Sequence, residues 1–108
     1  MDEYDGEWVA NYYPGLLSIP VVQRLVIAPR MTGNAAELVL VQVADGSDTA
    51  AVKSILQARI DRGKNDFNYP QVTEAWQNNS RVVSSGNYIM LVVHSECDNI
   101  VADFNALF

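Results

Sequence analysis

Ser80-Arg81-Val82-Val83-Ser84-Ser85-Gly86-Asn87-Tyr88-Ile89-Met90-Leu91-Val92-Val93-His94 is the stretch that decides the fold. A short polar strand around Arg81, Val82 and Val83 meets a tight turn at Ser84-Ser85-Gly86-Asn87. An apolar run follows from Tyr88 to His94. Two such runs across a glycine-containing turn read as a β-hairpin. Its return strand is apolar on both faces, so it belongs in the interior of a sheet. The segment beyond it carries Ile100, Val101, Phe104, Leu107 and Phe108 at helical spacing and reads as a helix packed on that hairpin. Ser95 with Asp98 resembles a capping box at its start.

The pattern upstream supplies the rest of the sheet. Val21 to Ala28 reads as a strand. Arg24 in its middle and Pro29 at its end push it to a sheet edge. Thr32-Gly33-Asn34 is a turn. Glu37 to Val43 follows, and Leu38-Val39-Leu40-Val41 suits a strand covered above and below. Asp45-Gly46 breaks the chain, and Ser47 or Asp48 is placed to cap a helix. Val52, Ile55, Leu56, Arg59 and Ile60 form one stripe of that helix; Gly63 can close it, and the alternative is continuation into the polar stretch Lys64 to Asn68. Pro70 starts a short helix with Val72, Ala75 and Trp76 on one side, ended by Asn78-Asn79-Ser80. Near the N-terminus, Asp2, Glu3, Asp5 and Glu7 precede Trp8, Tyr12, Tyr13 and Leu16, ahead of Pro14-Gly15. Residues 1–20 thus read as an aromatic arm with a helix over Glu7 to Tyr13.

These elements predict an α+β fold. Its four-stranded antiparallel sheet has the order 1-2-4-3, because the fourth strand inserts between the second and third. The middle of the chain is then a split βαβ unit with a right-handed crossover. The helices are expected mainly on one face, leaving the other to the aromatic arm or to a partner chain. The 108 residues fit a single domain, large enough to bury a core without disulfides or metal.

Composition excludes some functions. The net charge of −6, with seven Lys and Arg, argues against nucleic acid and against a polybasic membrane contact. The one cysteine, Cys97, rules out an internal disulfide and a cysteine-rich zinc site. The apolar runs are strand-length, too short to span a bilayer. Met1-Asp2-Glu3 opens an acidic stretch instead of a basic, then apolar, leader. Either a cytosolic protein or a mature region whose leader was removed is expected.

Few residues point to chemistry. His94-Ser95-Glu96-Cys97-Asp98 brings a histidine and a thiol to the start of a helix, where a thiol pKa can fall. No third group orients them, so capping and packing are the expected roles. Asp45-Gly46-Ser47-Asp48 lacks the alternating oxygen ligands and distal Glu of a calcium loop and reads as a turn. Arg59 and Arg62 with Asp61 and Asp66 read as a solvated, charged helix end. Trp8, Tyr12, Tyr13, Tyr69 and Trp76, with His94, are the candidate contacts for a ligand or partner, although aromatic spacing of this kind also serves core packing. No catalytic residue, metal ligand or cofactor is identified.

Several of these segments together resemble the bacterial family known as domain of unknown function 4358. They are Tyr12-Tyr13-Pro14-Gly15-Leu16, Ala36-Glu37-Leu38-Val39-Leu40-Val41, Asp48 through Arg59-Ile60, Tyr69-Pro70, Trp76-Gln77-Asn78 and Gly86-Asn87-Tyr88-Ile89-Met90. The resemblance implies a small extracytoplasmic protein, often a lipoprotein or membrane-anchored through a leader; this chain lacks that leader pattern. It supplies no activity and no site residues. The expectation is a non-enzymatic, envelope-associated binding or accessory module, monomeric or homodimeric, whose partner is a protein or small ligand. The alternatives are a small enzyme or redox-active protein centred on His94 and Cys97, a structural subunit of an oligomer, and a cytoplasmic location.

Overall fold

The computed structural model describes residues 2–3, 6–28, 36–65 and 70–108. In chain order the elements are β1 (Asp2–Glu3), α1 (Gly6–Tyr12), a 3₁₀ turn (Leu16–Ser18), β2 (Val21–Ala28), β3 (Glu37–Val43), a second 3₁₀ turn (Gly46–Asp48), α2 (Thr49–Lys64), α3 (Pro70–Asn78), β4 (Ser80–Ser85), β5 (Tyr88–Val93) and α4 (Cys97–Leu107). The expected Pro29 strand end, the Thr32-Gly33-Asn34 turn and Tyr69 lie outside the described residues.

The sheet is antiparallel throughout, in the order β1-β2-β3-β5-β4. β2, β3, β4 and β5 are the four expected strands in the expected order. β3 and β4 run parallel with β5 between them, which is the split βαβ unit. Ser85 opposes Tyr88, so the hairpin loop is Gly86-Asn87. Gly86 has φ +57, which suits the twist of a two-residue hairpin. β4 is thus longer than the sequence suggested and takes in Ser84 and Ser85. The other addition is β1, which pairs with Ile27 and Ala28, so β2 is not the outermost strand along its whole length.

The sheet carries a core on each face. On the first, Val39, Val41 and Val43 of β3 and Ile89, Leu91 and Val93 of β5 meet Val52, Leu56 and Ile60 of α2 and Val72 and Trp76 of α3. Val9, Tyr13 and Leu16 join the same cluster. The aromatic arm therefore docks internally, but beside α2 and α3. It does not cover the second face, as the sequence had left open. α4 does so, setting Cys97 and Phe104 on Met90 and Val92. Burying one such large apolar side chain contributes about 1.5–3 kcal/mol, so both clusters matter to stability.

α4 lies mainly over β4 and β5, with Leu38 and Leu40 of β3 packed at the margin of its cluster. The second-face side chains of β3, Leu38 and Leu40, are half-buried, whereas Val39, Val41 and Val43 on the first face are fully buried. β3 is central in the sheet, yet it is not covered equally above and below. Leu107, expected in the apolar stripe of α4, is 77% exposed.

α2 continues through Gly63 to Lys64, the alternative end. Two expected caps differ. Asp48 stands before α2 without a side-chain cap, and Asp45 instead accepts the Ser47 N–H at 2.9 Å. The Ser95–Asp98 capping box does not form. Glu96 occupies the N-cap position of α4 without a side-chain cap bond.

Candidate functional site

The first face contains a buried polar cluster. Glu37 begins β3 with only 5% of its surface exposed. Arg59 of α2 reaches it with two hydrogen bonds, Nε to Oε2 and Nη2 to Oε1, each 3.1 Å. The Tyr13 hydroxyl also donates to Glu37 Oε2. The carboxylate is thus held by a forked guanidinium and a phenol, the geometry in which a buried charge is tolerated. Burial first, then the charge and hydrogen bond of Glu37, push the Tyr13 phenol well above its ordinary 10.0. Burial alone would lower the Arg59 pKa, but the bonds and charge of Glu37 outweigh it and hold it raised.

Aromatic rings enclose the cation. The Arg59 guanidinium lies 4.4 Å from the Trp76 ring centre and 5.1 Å from that of Tyr12. The Arg62 guanidinium lies 4.7 Å from the Tyr12 ring centre and donates to the Asn11 carbonyl at 3.1 Å. Trp8 packs against Tyr12 in a tilted arrangement with ring centres 4.6 Å apart. Of the sequence candidates, Trp8, Tyr12, Tyr13 and Trp76 therefore converge on one place. A protein side chain already fills it.

Arg59 is the correction here. Read as part of a solvated helix end, it is 12% exposed and paired. The signal was available, since Arg59 falls within the apolar stripe of α2, between Leu56 and Ile60. A cation on such a stripe requires a buried anion, and Glu37 at the mouth of an otherwise apolar strand is the matching charge.

His94 follows Val93, which opposes Glu37 in the sheet, but it makes none of the cluster's bonds and serves the chain locally. Its Nδ1 accepts the Glu96 N–H at 3.0 Å, and its carbonyl accepts the Cys97 N–H at 3.1 Å. Cys97 is 3% exposed and packs with Met90, Val92 and Phe104. The thiol therefore behaves as a small apolar side chain. Among the described residues, no group of three or more His, Cys, Asp or Glu could hold a metal ion.

The second face offers what the first does not, an accessible concavity. Beside α4, where the sheet is uncovered, a cleft of about 280 Å³ is lined by Gln23, Arg24, Leu25, Leu40, Gln42 and Tyr88. Leu25 opposes Leu40, and Gln23 opposes Gln42, across the β2–β3 pair. The two amides bond to each other, Gln23 Nε2 to Gln42 Oε1, at 3.0 Å. Each Gln keeps further donors and acceptors for another molecule. Tyr88 is fixed by stacking on Phe108, with ring centres 4.1 Å apart. An aliphatic floor with a few anchored polar groups is suited to binding. The sequence reading passed over these residues because alternating Gln and Leu is the ordinary pattern of a half-solvated strand.

Among the described residues no helix is long and apolar enough to cross a membrane. No curated protein and no solved structure matches the chain. Residues 10–94 match the family described as a domain of unknown function (DUF4358), a span holding Tyr12, Tyr13, Glu37, Arg59 and Trp76 as well as every residue of the cleft, and the chain belongs to that family.

Proposed function

We propose that the protein is a non-enzymatic binding or accessory module of the cell envelope, contacting its partner or ligand through the uncovered half of the second sheet face. The observation that carries this reading is the cleft of Leu25, Leu40, Gln23, Gln42 and Tyr88 beside α4. The burial of Cys97 and the local bonding of His94 support the non-enzymatic part. The envelope part rests on the family resemblance.

The test is cosedimentation of the full chain with isolated bacterial cell walls and, separately, with envelope membranes. Leu25→Lys places a charge on the cleft floor and is expected to weaken binding about tenfold, near 1.4 kcal/mol, with an unchanged melt. His94→Ala should leave binding unaltered. Equal binding by Leu25→Lys and wild type would remove the cleft from consideration, and no binding to either fraction would remove the envelope role.

A further inference from the structure

The outer edge of β4 is available for pairing, and its chemistry is self-complementary. Ser85 and Tyr88 oppose each other across a two-residue loop, so Ser85 turns its N–H and C=O toward β5. The same phase holds at the other end, where His94 donates its N–H to the Asn79 carbonyl at 3.0 Å. With a period of two, Arg81 and Val83 also face β5, and Ser80, Val82 and Ser84 turn their main-chain groups away from the sheet. The Ser80 carbonyl is taken by Arg81 Nη1 at 2.7 Å. Among the described residues nothing bonds to the outward N–H and C=O of Val82 and Ser84.

The two edges of the sheet are unlike. Along β2 the register shifts between Val21 and Gln23, and β1 lies against Ile27 and Ala28. A bulge and a covering strand are devices that block pairing. β4 has no proline, no lysine and an unbroken register with β5.

We propose that β4 pairs antiparallel with β4 of a second copy, about a two-fold axis through Val83. An axis perpendicular to the sheet keeps each side chain on its own face, so residues must pair with like parity. Centring on Val83 sets Val82 of each copy against Ser84 of the other, and every outward group of those two residues finds a partner. Centring on Val82 would instead recruit the Ser80 carbonyl, which Arg81 already holds. Arg81 falls opposite Ser85 of the second copy, so like charges do not face each other. Because the β2 edge is blocked, the assembly closes at two chains and does not grow.

Sedimentation equilibrium of the full chain tests this at roughly 10–300 µM, the range suited to a small interface. The expected mass at high concentration is twice the 12.0 kDa of the chain. Ser84→Pro removes one outward N–H and no bond to β5, a change edge strands tolerate, and should restore the 12.0 kDa mass. Val83→Cys gives an independent readout. A directly opposed, non-hydrogen-bonded pair has Cα atoms about 4.5 Å apart, within disulfide reach. Mild oxidation should therefore yield a covalent dimer on a non-reducing gel. A monomeric wild type at the highest concentration would overturn the proposal and leave the edge to a strand of another protein. A dimer unaffected by Ser84→Pro, or a Val83→Cys variant that does not cross-link, would overturn it too.

Discussion

Gly63 lies against the face of Trp76, and a Cβ built on Gly63 would sit 2.3 Å from the indole Cγ. The missing side chain is what lets α2 and α3 approach. Two effects compete in Gly63→Ala. Alanine gains up to about 1 kcal/mol of helix propensity. Overpacking against a rigid ring costs about 1–3 kcal/mol, and Trp76, itself pinned by Arg59, has little room to retreat. A net loss of stability is expected in urea melts. A stabilised variant would show that α3 shifts freely on α2.

Glu37, Arg59 and Tyr13 act as a unit. Glu37→Gln leaves the buried guanidinium without its anion and should cost about 3–5 kcal/mol. The combined change Glu37→Leu, Arg59→Met and Tyr13→Phe removes all the polar groups together. It should cost less than Glu37→Gln alone, because no buried charge is left behind. Denaturant midpoints of the two variants compare them directly. A loss below about 1 kcal/mol in Glu37→Gln would mean that Arg59 finds water.

The same cluster sets a pH dependence. The Tyr13 phenol titrates higher in the fold than in the unfolded chain, chiefly through burial and then through Glu37. Its contribution is therefore complete below the unfolded value of about 10 and is lost as pH rises through the folded value. Stability should fall with alkalinity above about pH 10, and Tyr13→Phe should reduce that slope. At the acid end, the Ser47 backbone N–H lowers the Asp45 pKa, so its small, exposed contribution is present above the ordinary carboxylate range and fades as pH falls. Equal alkaline slopes for wild type and Tyr13→Phe would assign the effect to other groups.

The strand order was readable because two strands are polar or proline-ended and suit edges, while two are apolar on both faces and suit the centre. Val82-Val83, the Gly86-Asn87 turn and the apolar Tyr88–Val93 return strand left one consistent arrangement, and β3 was the matching neighbour for β5. What escaped was information carried by non-local pairs. Gly63 looks like a helix stop until Trp76, thirteen residues on, is placed against it. Arg59 looks solvated until Glu37 is brought beneath it. The side of the sheet taken by residues 6–18 depends on how the loops turn, and neither spacing nor propensity encodes that. Of the candidate site residues, Trp8, Tyr12, Tyr13 and Trp76 come together, but around the internal Arg59–Glu37 pair. The cleft was invisible because Gln23, Leu25, Leu40 and Gln42 come from two strands and mean little singly.

The two sheet faces differ in how hard they resist truncation. Leu91 is fully buried in the first-face core, and Leu91→Ala should cost about 2–5 kcal/mol. Leu40 sits on the uncovered half of the second face, where water or a neighbour's movement fills the space. Leu40→Ala should cost less, about 1 kcal/mol. Equal losses at both positions in thermal melts would show that the second face is covered after all, whether by residues of this chain or by a second molecule.

Cys97 provides a test that bears on the enzyme alternative. Cys97, the first residue of α4, is 3% exposed, and the His94 ring accepts the Glu96 N–H at 3.0 Å through Nδ1. A thiol becomes a nucleophile when it is accessible and its thiolate is stabilised by a positive neighbour. Packing among Met90, Val92 and Phe104 supplies neither condition. A disulfide reagent at neutral pH should therefore label Cys97 only as fast as the region opens, and the rate should rise with urea. His94→Ala should not slow the labelling and should raise it if the start of α4 loosens. Rapid stoichiometric labelling of the native chain, lost in His94→Ala, would mean that the two side chains act together and would make the redox reading the stronger one.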